Sequence, residues 1–437
     1  MHYICEKFKV INKDNKKIVF LLTKKFPYYK QETYIEDEIP YLKEFFKEVI
    51  IVPYDEYEYN EDDLKKRKNI DGIKVFKINQ IQVSLSVFEK LKREVIVWKL
   101  LFEEIIHSRE KWNHIVNFIS LLAQLRYFYS SSKKLKRFIE ESGYNFRDII
   151  FYNYWLHRGS VICAIFNRYH SNLKIKNIAR SHSIDLFHKD WNRMMQIEKK
   201  LFLPFEYLKI KYTDRIYPIS QIGFNHLNTK FSQFKEKIKI ARLGVKKTDY
   251  VNLFNDSFPK KILTCSNIIK IKRLNLIPEI IYHLKTPVIW YHIGDGDEKY
   301  IDEIKEKINI YNLSDRCFLL GKMTHLEVMN FYKTHSIDLF MNISTVEGIP
   351  VSIMEAISYG IPVLATDAGG NREIVNEKNG FLIPCQFDVK EVARIIDRFF
   401  NDEKLIQQKR KGALEIFNKN YNADNNFKLF IEDILSL

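Results

Sequence analysis

The chain has 437 residues, of which 46% are hydrophobic and 29% charged, and its 70 basic and 55 acidic side chains give a formal net charge of +15 at pH 7. This composition is typical of globular proteins and excludes a disordered or fibrous chain, and the length predicts two domains. The five cysteines form no C-x-x-C pair. A disulfide framework and a structural zinc site are therefore not expected, and a reducing compartment is favoured.

No segment of the sequence indicates a secretory signal or a membrane span. The first apolar run, 18–23, is short and is followed by Lys24 and Lys25, and no run reaches the roughly 18 apolar residues that a membrane helix needs. The positive charge has two explanations, an anionic partner or an overall composition rich in Lys, Ile, Asn, Tyr and Phe. Because the lysines are dispersed and no zinc-finger, K-homology or RNA-recognition signature is present, we expect no nucleic-acid partner.

The N-terminal half alternates predicted strands with helical segments. A strand at 17–23 is followed by a turn, a helix over 33–47 and a polar segment over 55–72; further strands are predicted at 49–52, 149–152, 175–179 and 215–219. Between 83 and 141 the pattern is helical and rich in Leu, Ile, Phe and Trp. Strands that alternate with helices imply βαβ units around a parallel sheet, with residues 83–141 as a helical insertion.

A polar, turn-rich segment over 244–260 predicts a domain boundary. We assign 1–246 to an N-terminal domain, 247–420 to a C-terminal domain, and 421–437 to a helix that crosses back to the first. The predicted strands of the second domain are 262–265, 288–293, 317–320, 337–341, 362–365 and 381–383, and its last helices are 388–420 and 423–436. The predicted fold class is α/β, with two facing doubly wound, Rossmann-like domains and a ligand-binding cleft between them.

The segment from 344 to 375 carries the most chemical information. A loop with Glu347 and Gly348 precedes a predicted helix whose first residue is Pro350 and which runs to Tyr359, with Gly360 after its end. The helix start at 349–352 offers free N–H groups and the positive end of the helix dipole to a phosphate. Glu347 and Glu355 could accept hydrogen bonds from the hydroxyls of a sugar and a ribose.

This segment resembles the signature of family 4 glycosyltransferases, the retaining enzymes of the GT-B fold. The resemblance consists of a Glu-Gly-x-Pro run at 347–350, the Glu-x7-Glu spacing that Glu355 closes, Gly-Ile-Pro-Val at 360–363, and Gly369-Gly370. Elsewhere Lys272 matches a lysine that contacts phosphate in this family, while Asn267 stands where the family usually has arginine. The loop 26–33 lacks the Gly-Gly of many relatives, and 180–185 matches the position of a site histidine.

The resemblance implies a set of site residues and no metal. The catalytic candidates are His182, Lys272 and Glu347. The donor-binding candidates are Asn267, Lys272, Gly321, Glu347, Gly348, Ile349, Pro350, Val351 and Glu355. The acceptor-side candidates are Glu32, Thr33, Arg180 and His182.

The implied activity is transfer of a hexose, with retention and without a metal or other cofactor, from a UDP- or GDP-linked donor to a glycan or a polyprenyl- or other lipid-linked acceptor. The implied context is the assembly of surface polysaccharide, lipopolysaccharide or capsule. The implied location is the cytoplasm, with a peripheral position on the inner face of the cytoplasmic membrane as a further option. The mixed aromatic and basic residues of 126–137 would fit an anionic lipid surface, or a core face backed by a solvated one. A non-catalytic glycan-binding or scaffold subunit and a sugar-nucleotide epimerase remain the alternatives.

Overall fold

Parallel β-sheets form the centre of both units of the chain. The computed structural model describes residues 17–28, 32–55, 70–78, 81–108, 115–169, 173, 175–187, 204–252 and 257–437. One unit holds the described residues up to 187 together with 204–241 and 427–437, and the other holds the described residues of 242–426. None of the helices in these ranges combines the length and the hydropathy needed to span a bilayer.

In the N-terminal unit the sheet order is β3-β2-β1-β4-β5-β6, and all described pairs are parallel. The strands are β1 (Ile18–Thr23), β2 (Glu48–Pro53), β3 (Lys74–Val75), β4 (Ile149–Asn153), β5 (Lys176–Ser181) and β6 (Arg215–Pro218). The helices are α1 (Ile39–Phe45), α2 (Val87–His107), α3 (Phe118–Glu141), α4 (Arg158–Tyr169), α5 (Ser183–Leu186), α6 (Glu206–Lys211) and α7 (Gln221–Lys230).

In the C-terminal unit the order is β12-β11-β10-β7-β8-β9, again with parallel pairs. The strands are β7 (Lys260–Cys265), β8 (Val288–Ile293), β9 (Cys317–Leu319), β10 (Leu339–Asn342), β11 (Val363–Thr366) and β12 (Gly380–Ile383). The helices are α8 (Ile277–Tyr282), α9 (Glu298–Ile310), α10 (His325–Thr334), α11 (Val351–Ser358), α12 (Asn371–Ile374), α13 (Val389–Phe400), α14 (Glu403–Ile416) and α15 (Ala423–Leu435). The predicted class, two doubly wound α/β domains, is confirmed.

The cores follow the two-residue period of the strands. In β1, Phe20 and Leu22 point into one hydrophobic cluster together with residues of α2, α3 and α4. Val19 and Leu21 point to the opposite face, into a second cluster. That second cluster also contains Phe430, Ile431 and Ile434, so the end of the chain packs in the core of the N-terminal unit. Burial on both faces explains why the strands are continuous apolar runs.

Two predicted helices are interrupted in the structure. The helix expected over 33–47 is a 3-10 turn, Thr33–Ile35, followed by α1, which has Pro40 in its first turn, where a missing N–H costs nothing. The helix expected over 388–420 breaks between α13 and α14, because the Asp402 side chain accepts a hydrogen bond from Leu405 N and caps a new helix.

The sequence does not predict strand β3, because two residues are too few to show alternation.

The insertion consists of α2 and α3, with residues 109–114 outside the described ranges. Ser86 and Glu89 form a capping box at the start of α2. The aromatic residues of 126–137 pack inward, since Phe128 and Tyr129 are fully buried. The basic residues there pair with carboxylates, Arg126 with Glu94 and Lys133 with Glu89. The core-face alternative therefore describes the aromatic residues of this segment, and contact of the insertion with a membrane stays a prediction.

Arg180 lies in the middle of the N-terminal core. Its guanidinium is fully buried and donates to Tyr152 Oη at 2.7 Å, to Ala241 O at 2.8 Å and to Glu38 Oε1 at 3.4 Å. The guanidinium carbon also lies 3.9 Å from the centre of the Phe430 ring. Burial raises the pKa of Glu38, and Arg180 opposes that rise. The network therefore joins β4, β5 and the last helix through one paired charge.

Replacement of this arginine should destabilise the N-terminal unit strongly. Arg180→Met leaves the Glu38 carboxyl buried without its counter-charge, and we expect the free energy of unfolding to fall by about 3 kcal/mol. Arg372→Met, which removes a pair with Asp367 that is 59% exposed on the arginine side, should cost less than about 1 kcal/mol. Urea denaturation followed by circular dichroism measures both, and equal losses would contradict the role given to the buried network.

Candidate functional site

The order of strands in the C-terminal unit predicts where a ligand binds. The chain starts at β7, adds β8 and β9 on one side, and then β10, β11 and β12 on the other. In such sheets the crevice at the point of reversal, beyond the carboxyl ends of the strands, is the usual binding site. The loops that follow β7 and β10 meet there, since Thr345 N donates to Ile271 O at 2.8 Å.

Glu347 occupies this point in the loop after β10. Its Oε1 accepts hydrogen bonds from Lys272 Nζ at 2.5 Å, from Ser344 Oγ at 2.7 Å and from Asn342 Nδ2 at 3.0 Å. Among the described residues no donor reaches its Oε2. The side chain is only 9% exposed, so the three donors fix its orientation. One carboxylate oxygen is thus held by the protein and the other is available to a hydroxyl.

Lys272 closes the 3-10 turn Lys270–Lys272 and brings a positive charge to the same place. Its side chain is 18% exposed and pairs with Glu347. An ammonium group has three N–H donors, so this pairing leaves donors for a second anionic group. Lys272 and Glu347, predicted to act together, are in contact; Asn342 and Ser344, which hold Glu347, were not predicted, because short polar residues at a strand end carry no distinct signal.

The helix α11 starts one residue later than predicted. Pro350 is its N-cap, with φ −74° and ψ 114°, and not its first residue, because that ψ is extended. The carbonyl of Pro350 accepts from Ile353 N at 3.2 Å and from Met354 N at 3.4 Å. The N–H groups of Val351 and Ser352 lie in the first turn and have no intrahelical acceptor, so they point toward any anion bound there. Ile349 and Pro350 themselves are buried.

The helix ends at Ser358, one residue before the predicted end, with Tyr359 as its cap. Gly360 follows with φ +73°, the left-handed conformation that glycine adopts without strain.

The glycine pair after β11 packs directly on the Glu347 loop. Gly370 N donates to Gly348 O at 2.8 Å. A Cβ atom on Gly370 would lie 2.0 Å from Gly348 O, and one on Gly369 would lie 1.9 Å from Glu347 O. No side chain fits in either place. The Gly-Gly pair is therefore required by the close approach of two backbones and supports the loop that carries the acidic residue.

Glu355 lies in the second turn of α11 and is 7% exposed. Its Oε1 is 3.1 Å from His325 Nε2, a contact that the sequence did not indicate. His325 is the first residue of α10, and its helix start is signalled by the capping box of Thr324 with Glu327. Cys265, at the end of β7, is close enough that Glu355 adds to the effect of burial, which raises the pKa of this thiol to about 12.

The other two donor-side candidates lie in neighbouring loops. Asn267 is exposed in the loop after β7. Gly321 follows β9 with φ +74°, and its carbonyl accepts from Gly294 N at 2.9 Å. Gly294 in turn packs on the loop after β7, since a Cβ there would lie 1.8 Å from Ser266 O. The loops after β7, β8 and β9 thus form one layer at the carboxyl end of the sheet.

In the N-terminal unit Glu32 turns back into its own loop. Its carboxylate accepts hydrogen bonds from Lys25 N and Phe26 N, each at 2.8 Å, and also from the Trp155 indole N–H. The residue is 7% exposed. The backbone N–H groups that follow β1 are therefore used by an internal carboxylate. Thr33 begins the 3-10 turn Thr33–Ile35, and its side chain lies outside the described part of the chain.

His182 follows β5 and is the N-cap residue of α5. Its Nε2 lies 3.1 Å from Tyr154 O, which can only accept, so Nε2 carries the hydrogen and Nδ1 is unprotonated. The side chain also takes part in a capping box with Asp185 at the start of α5. Burial, with Arg180 nearby, lowers the pKa of His182 to about 3. The imidazole is therefore neutral at physiological pH. It can accept a hydrogen bond but does not act as a protonated acid.

Arg180 does not fit the acceptor-side role that the sequence suggested. It is 0% exposed, and its donors are directed at Glu38, Tyr152 and Ala241 inside the core. The prediction is wrong because closeness in sequence to the site histidine does not place both side chains in the same surroundings. Strand β5 ends at Ser181, so Arg180 keeps its strand position in the core while His182 already belongs to the turn that starts α5.

Part of the chain, mostly in the C-terminal unit, matches a known protein family. Residues 246–415 match the family model described as "Glycosyl transferases group 1". The chain is 29% identical over 207 residues to the O-antigen biosynthesis glycosyltransferase WbnH of Escherichia coli, across 44% of this chain and 57% of that protein. It is 29% identical over 122 residues to the lipopolysaccharide core biosynthesis mannosyltransferase LpsB of Rhizobium meliloti, across 27% of this chain and 33% of that protein. The alignments therefore cover 57% of the length of the first relative and 33% of the length of the second.

Among solved structures, Anabaena Alr3699/HepE in complex with UDP aligns with a TM-score of 0.66 at 17% identity, covering 96% of this chain and 100% of that one. At this identity the likeness concerns the fold, and the predicted GT-B fold is confirmed. For residues 246–415, the resemblance read from the sequence is confirmed at the level of the family.

The Gly370 contact gives a direct test of the site's construction. Gly370→Ala places a methyl group where the Gly348 carbonyl stands, and we expect the free energy of unfolding to fall by about 3 kcal/mol. Gly143→Ala is the matched control, because Gly143 has φ +69° with nothing near its would-be Cβ and should cost about 1 kcal/mol. Urea denaturation checks both; a fully stable Gly370→Ala protein would show that the two loops do not need this contact.

Proposed function

Since residues 246–415 form a group 1 glycosyltransferase domain, we propose that the chain is a retaining glycosyltransferase that uses a UDP- or GDP-linked sugar as donor. The observation that carries this proposal is the Glu347 carboxylate, which is held at one oxygen by three donors and receives no donor at the other from the residues that the structure describes. A fixed acceptor beside a lysine and a helix N-terminus suits a ligand that carries both hydroxyls and a diphosphate.

The donor would bind across the loops after β7 and β10. Lys272 and the N–H groups of Val351 and Ser352 would hold the diphosphate. Glu347 Oε2 would accept a hydrogen bond from a sugar hydroxyl, and Glu355, released from His325 or shared with it, would hold the ribose. Asn267 and Gly321 would flank the nucleoside from the loops after β7 and β9.

Catalysis in this arrangement would come from charge stabilisation and positioning. As the bond to the anomeric carbon breaks, negative charge grows on the departing diphosphate, and Lys272 and the helix start would stabilise it without a metal. Glu347 would fix the sugar ring so that the anomeric carbon faces the acceptor. The family resemblance implies that the acceptor enters on the face that the leaving group vacates, with the departing phosphate taking the proton.

The acceptor would be a glycan or a lipid-linked glycan in surface polysaccharide, lipopolysaccharide or capsule assembly. The role of the Escherichia coli relative in O-antigen biosynthesis supports this context. In the N-terminal unit, the neutral His182 side chain would contact the acceptor. Its neutral state suits that role better than acid catalysis.

A non-catalytic glycan-binding or scaffold subunit is the second candidate. It is favoured by the Glu32 carboxylate, which already occupies the N–H groups after β1, and by Asn267 in the place of an arginine. A screen of UDP- and GDP-sugars by thermal shift, followed by donor hydrolysis, separates the candidates. Binding with hydrolysis supports a transferase, interconversion of free sugar nucleotides an epimerase, and glycan binding without nucleotide binding a scaffold.

Glu347→Gln should abolish most of the activity. The amide cannot pair with Lys272 as a carboxylate does, so we expect kcat with the donor found in the screen to fall about 100-fold, with little change in thermal stability. Glu391→Gln, an exposed residue that pairs with Arg394, is the matched control and should keep full activity. Unchanged turnover of Glu347→Gln would remove Glu347 from the site.

We also propose that the N-terminal unit contacts an anionic membrane through α2. Apolar side chains at helical spacing along α2 are solvent-exposed: Val87 75%, Leu91 63%, Val95 54%, Phe102 52% and Ile106 61%. Exposed apolar side chains that recur along one surface helix are unusual for a soluble protein. Of the helix's four acidic residues, Glu104 is buried, and Glu89, Glu94 and Glu103 pair with Lys133, Arg126 and Lys211. Lys90 and Lys99 are exposed. This face therefore suits lipid with negative headgroups.

Liposome flotation tests the membrane contact. The protein should float with vesicles that contain 30% phosphatidylglycerol in phosphatidylcholine, and less as salt increases, because the lysines supply part of the attraction. Leu91→Asp/Phe102→Asp should lose most of the binding without loss of stability, since both positions are exposed. Leu429→Asp, at a position 64% exposed on α15, should still float. Equal flotation of all three proteins would overturn this surface.

A further inference from the structure

Arg273, next in sequence to Lys272, connects three loops of the C-terminal unit. Its Nε donates to Ile343 O at 2.6 Å, its Nη1 to Cys385 O at 2.7 Å and its Nη2 to Ser344 O at 3.3 Å. Ile343 and Ser344 follow β10, and Cys385 follows β12. One planar guanidinium therefore holds the loops after β7, β10 and β12 at fixed distances from each other.

The loop that Arg273 holds is the one that orients Glu347. Ser344, whose carbonyl accepts from Arg273, donates its Oγ to Glu347 Oε1 at 2.7 Å. The same carbonyl also accepts from Thr366 Oγ1 at 2.5 Å, and the next residue, Thr345, donates its N–H to Ile271 O at 2.8 Å. A shift of this segment would move Ser344, and with it the Glu347 carboxylate, away from Lys272.

The backbone conformation of Arg273 indicates that this position needs the arginine side chain and not only the turn. Arg273 has φ +53° and ψ 32°, the left-handed conformation in which glycine is unstrained and other residues are not. If only the turn mattered, glycine would be the better residue. The guanidinium is also half-buried, and burial lowers the pKa of Arg273, while its hydrogen-bond acceptors are three uncharged carbonyls. Arg273 thus combines a strained backbone with a desolvated charge. The hydrogen bonds of that charge hold the loop that orients Glu347.

We propose that Arg273 is a positioning residue, which sets the separation of Lys272 and Glu347 through the loop 343–345 without touching the donor. This inference rests on the proposed function in one respect, that the Lys272–Glu347 pair binds the donor. Arg273 acts through the planar fork of its guanidinium, so lysine, with a single ammonium on a flexible stem, cannot replace it.

The decisive variants are Arg273→Gly and Arg273→Lys. Arg273→Gly removes the three hydrogen bonds and relieves the left-handed strain, so the fold should be kept. Arg273→Lys keeps the charge and the strain but not the fork. Asn312→Gly is the matched control, because Asn312 also has a left-handed φ, +54°, in the loop after α9, away from these three loops.

Hydrogen–deuterium exchange measured by mass spectrometry tests the positioning without any donor. In Arg273→Gly we expect the amides of 343–348 to exchange at least 10-fold faster than in the wild type, with the melting temperature changed by no more than that of Asn312→Gly. Arg273→Lys should show a similar increase. Unchanged exchange in the segment 343–348 would overturn the proposal, whether or not the protein is a transferase.

Kinetics then test the consequence for the site. With the nucleotide sugar that the wild type hydrolyses, Arg273→Gly should lower kcat 10- to 100-fold. In the Glu347→Gln background the same substitution should change kcat less than 2-fold, because the group that it positions is already lost. If Arg273→Gly lowered kcat as much in the Glu347→Gln background as in the wild type, the positioning role would be overturned. If the wild type hydrolyses no donor, the proposed function fails, and the exchange experiment alone decides on Arg273.

Discussion

The carboxylate of Glu347 is the contact on which the site depends. It is nearly buried, and a buried carboxylate is costly unless donors and a counter-charge compensate it. Lys272, from the loop after β7, supplies the charge, and Ser344 and Asn342, from the end of β10, supply the other two hydrogen bonds. All three donors meet at one oxygen, so the protein fixes the group. No donor in the described part of the chain reaches the second oxygen, which we propose binds a ligand.

The surrounding backbone is built to keep that contact in place. Gly369 and Gly370 bring the loop after β11 against the carbonyls of Glu347 and Gly348, at distances that only glycine allows. Pro350 is the N-cap of α11, so the first N–H groups of the helix, which have no intrahelical acceptor, follow directly after the Glu347 loop. The parallel sheet then explains why these loops meet at all, since the carboxyl ends of β7, β10 and β11 lie side by side.

Much of this arrangement could be predicted from the sequence, because it depends on local patterns. Continuous apolar runs indicated the longer strands, and the glutamates eight apart with the following Gly-Gly indicated the loop–helix–loop that carries the site. The contacts made by single side chains across the fold could not be predicted. Arg180 looked like a site residue but is a core charge paired with Glu38, and Glu32 turned out to fill its own loop.

Arg273 and His325 were missed for the same reason. Each acts on residues that are distant in sequence, Arg273 on the carbonyls of 343, 344 and 385, and His325 on Glu355. The exposed row on α2 was also missed, since a helical apolar pattern is ordinarily assigned to a core and only the structure shows which face is covered.

The central claim concerns where a diphosphate binds, and a crystal structure with the nucleotide diphosphate that stabilises the protein, UDP or GDP, tests it most directly. The account predicts phosphate oxygens within hydrogen-bond distance of Lys272 Nζ and of the N–H groups of Val351 and Ser352, with the ribose at Glu355. A diphosphate bound elsewhere in the chain, with Lys272 and Glu347 untouched, would contradict it.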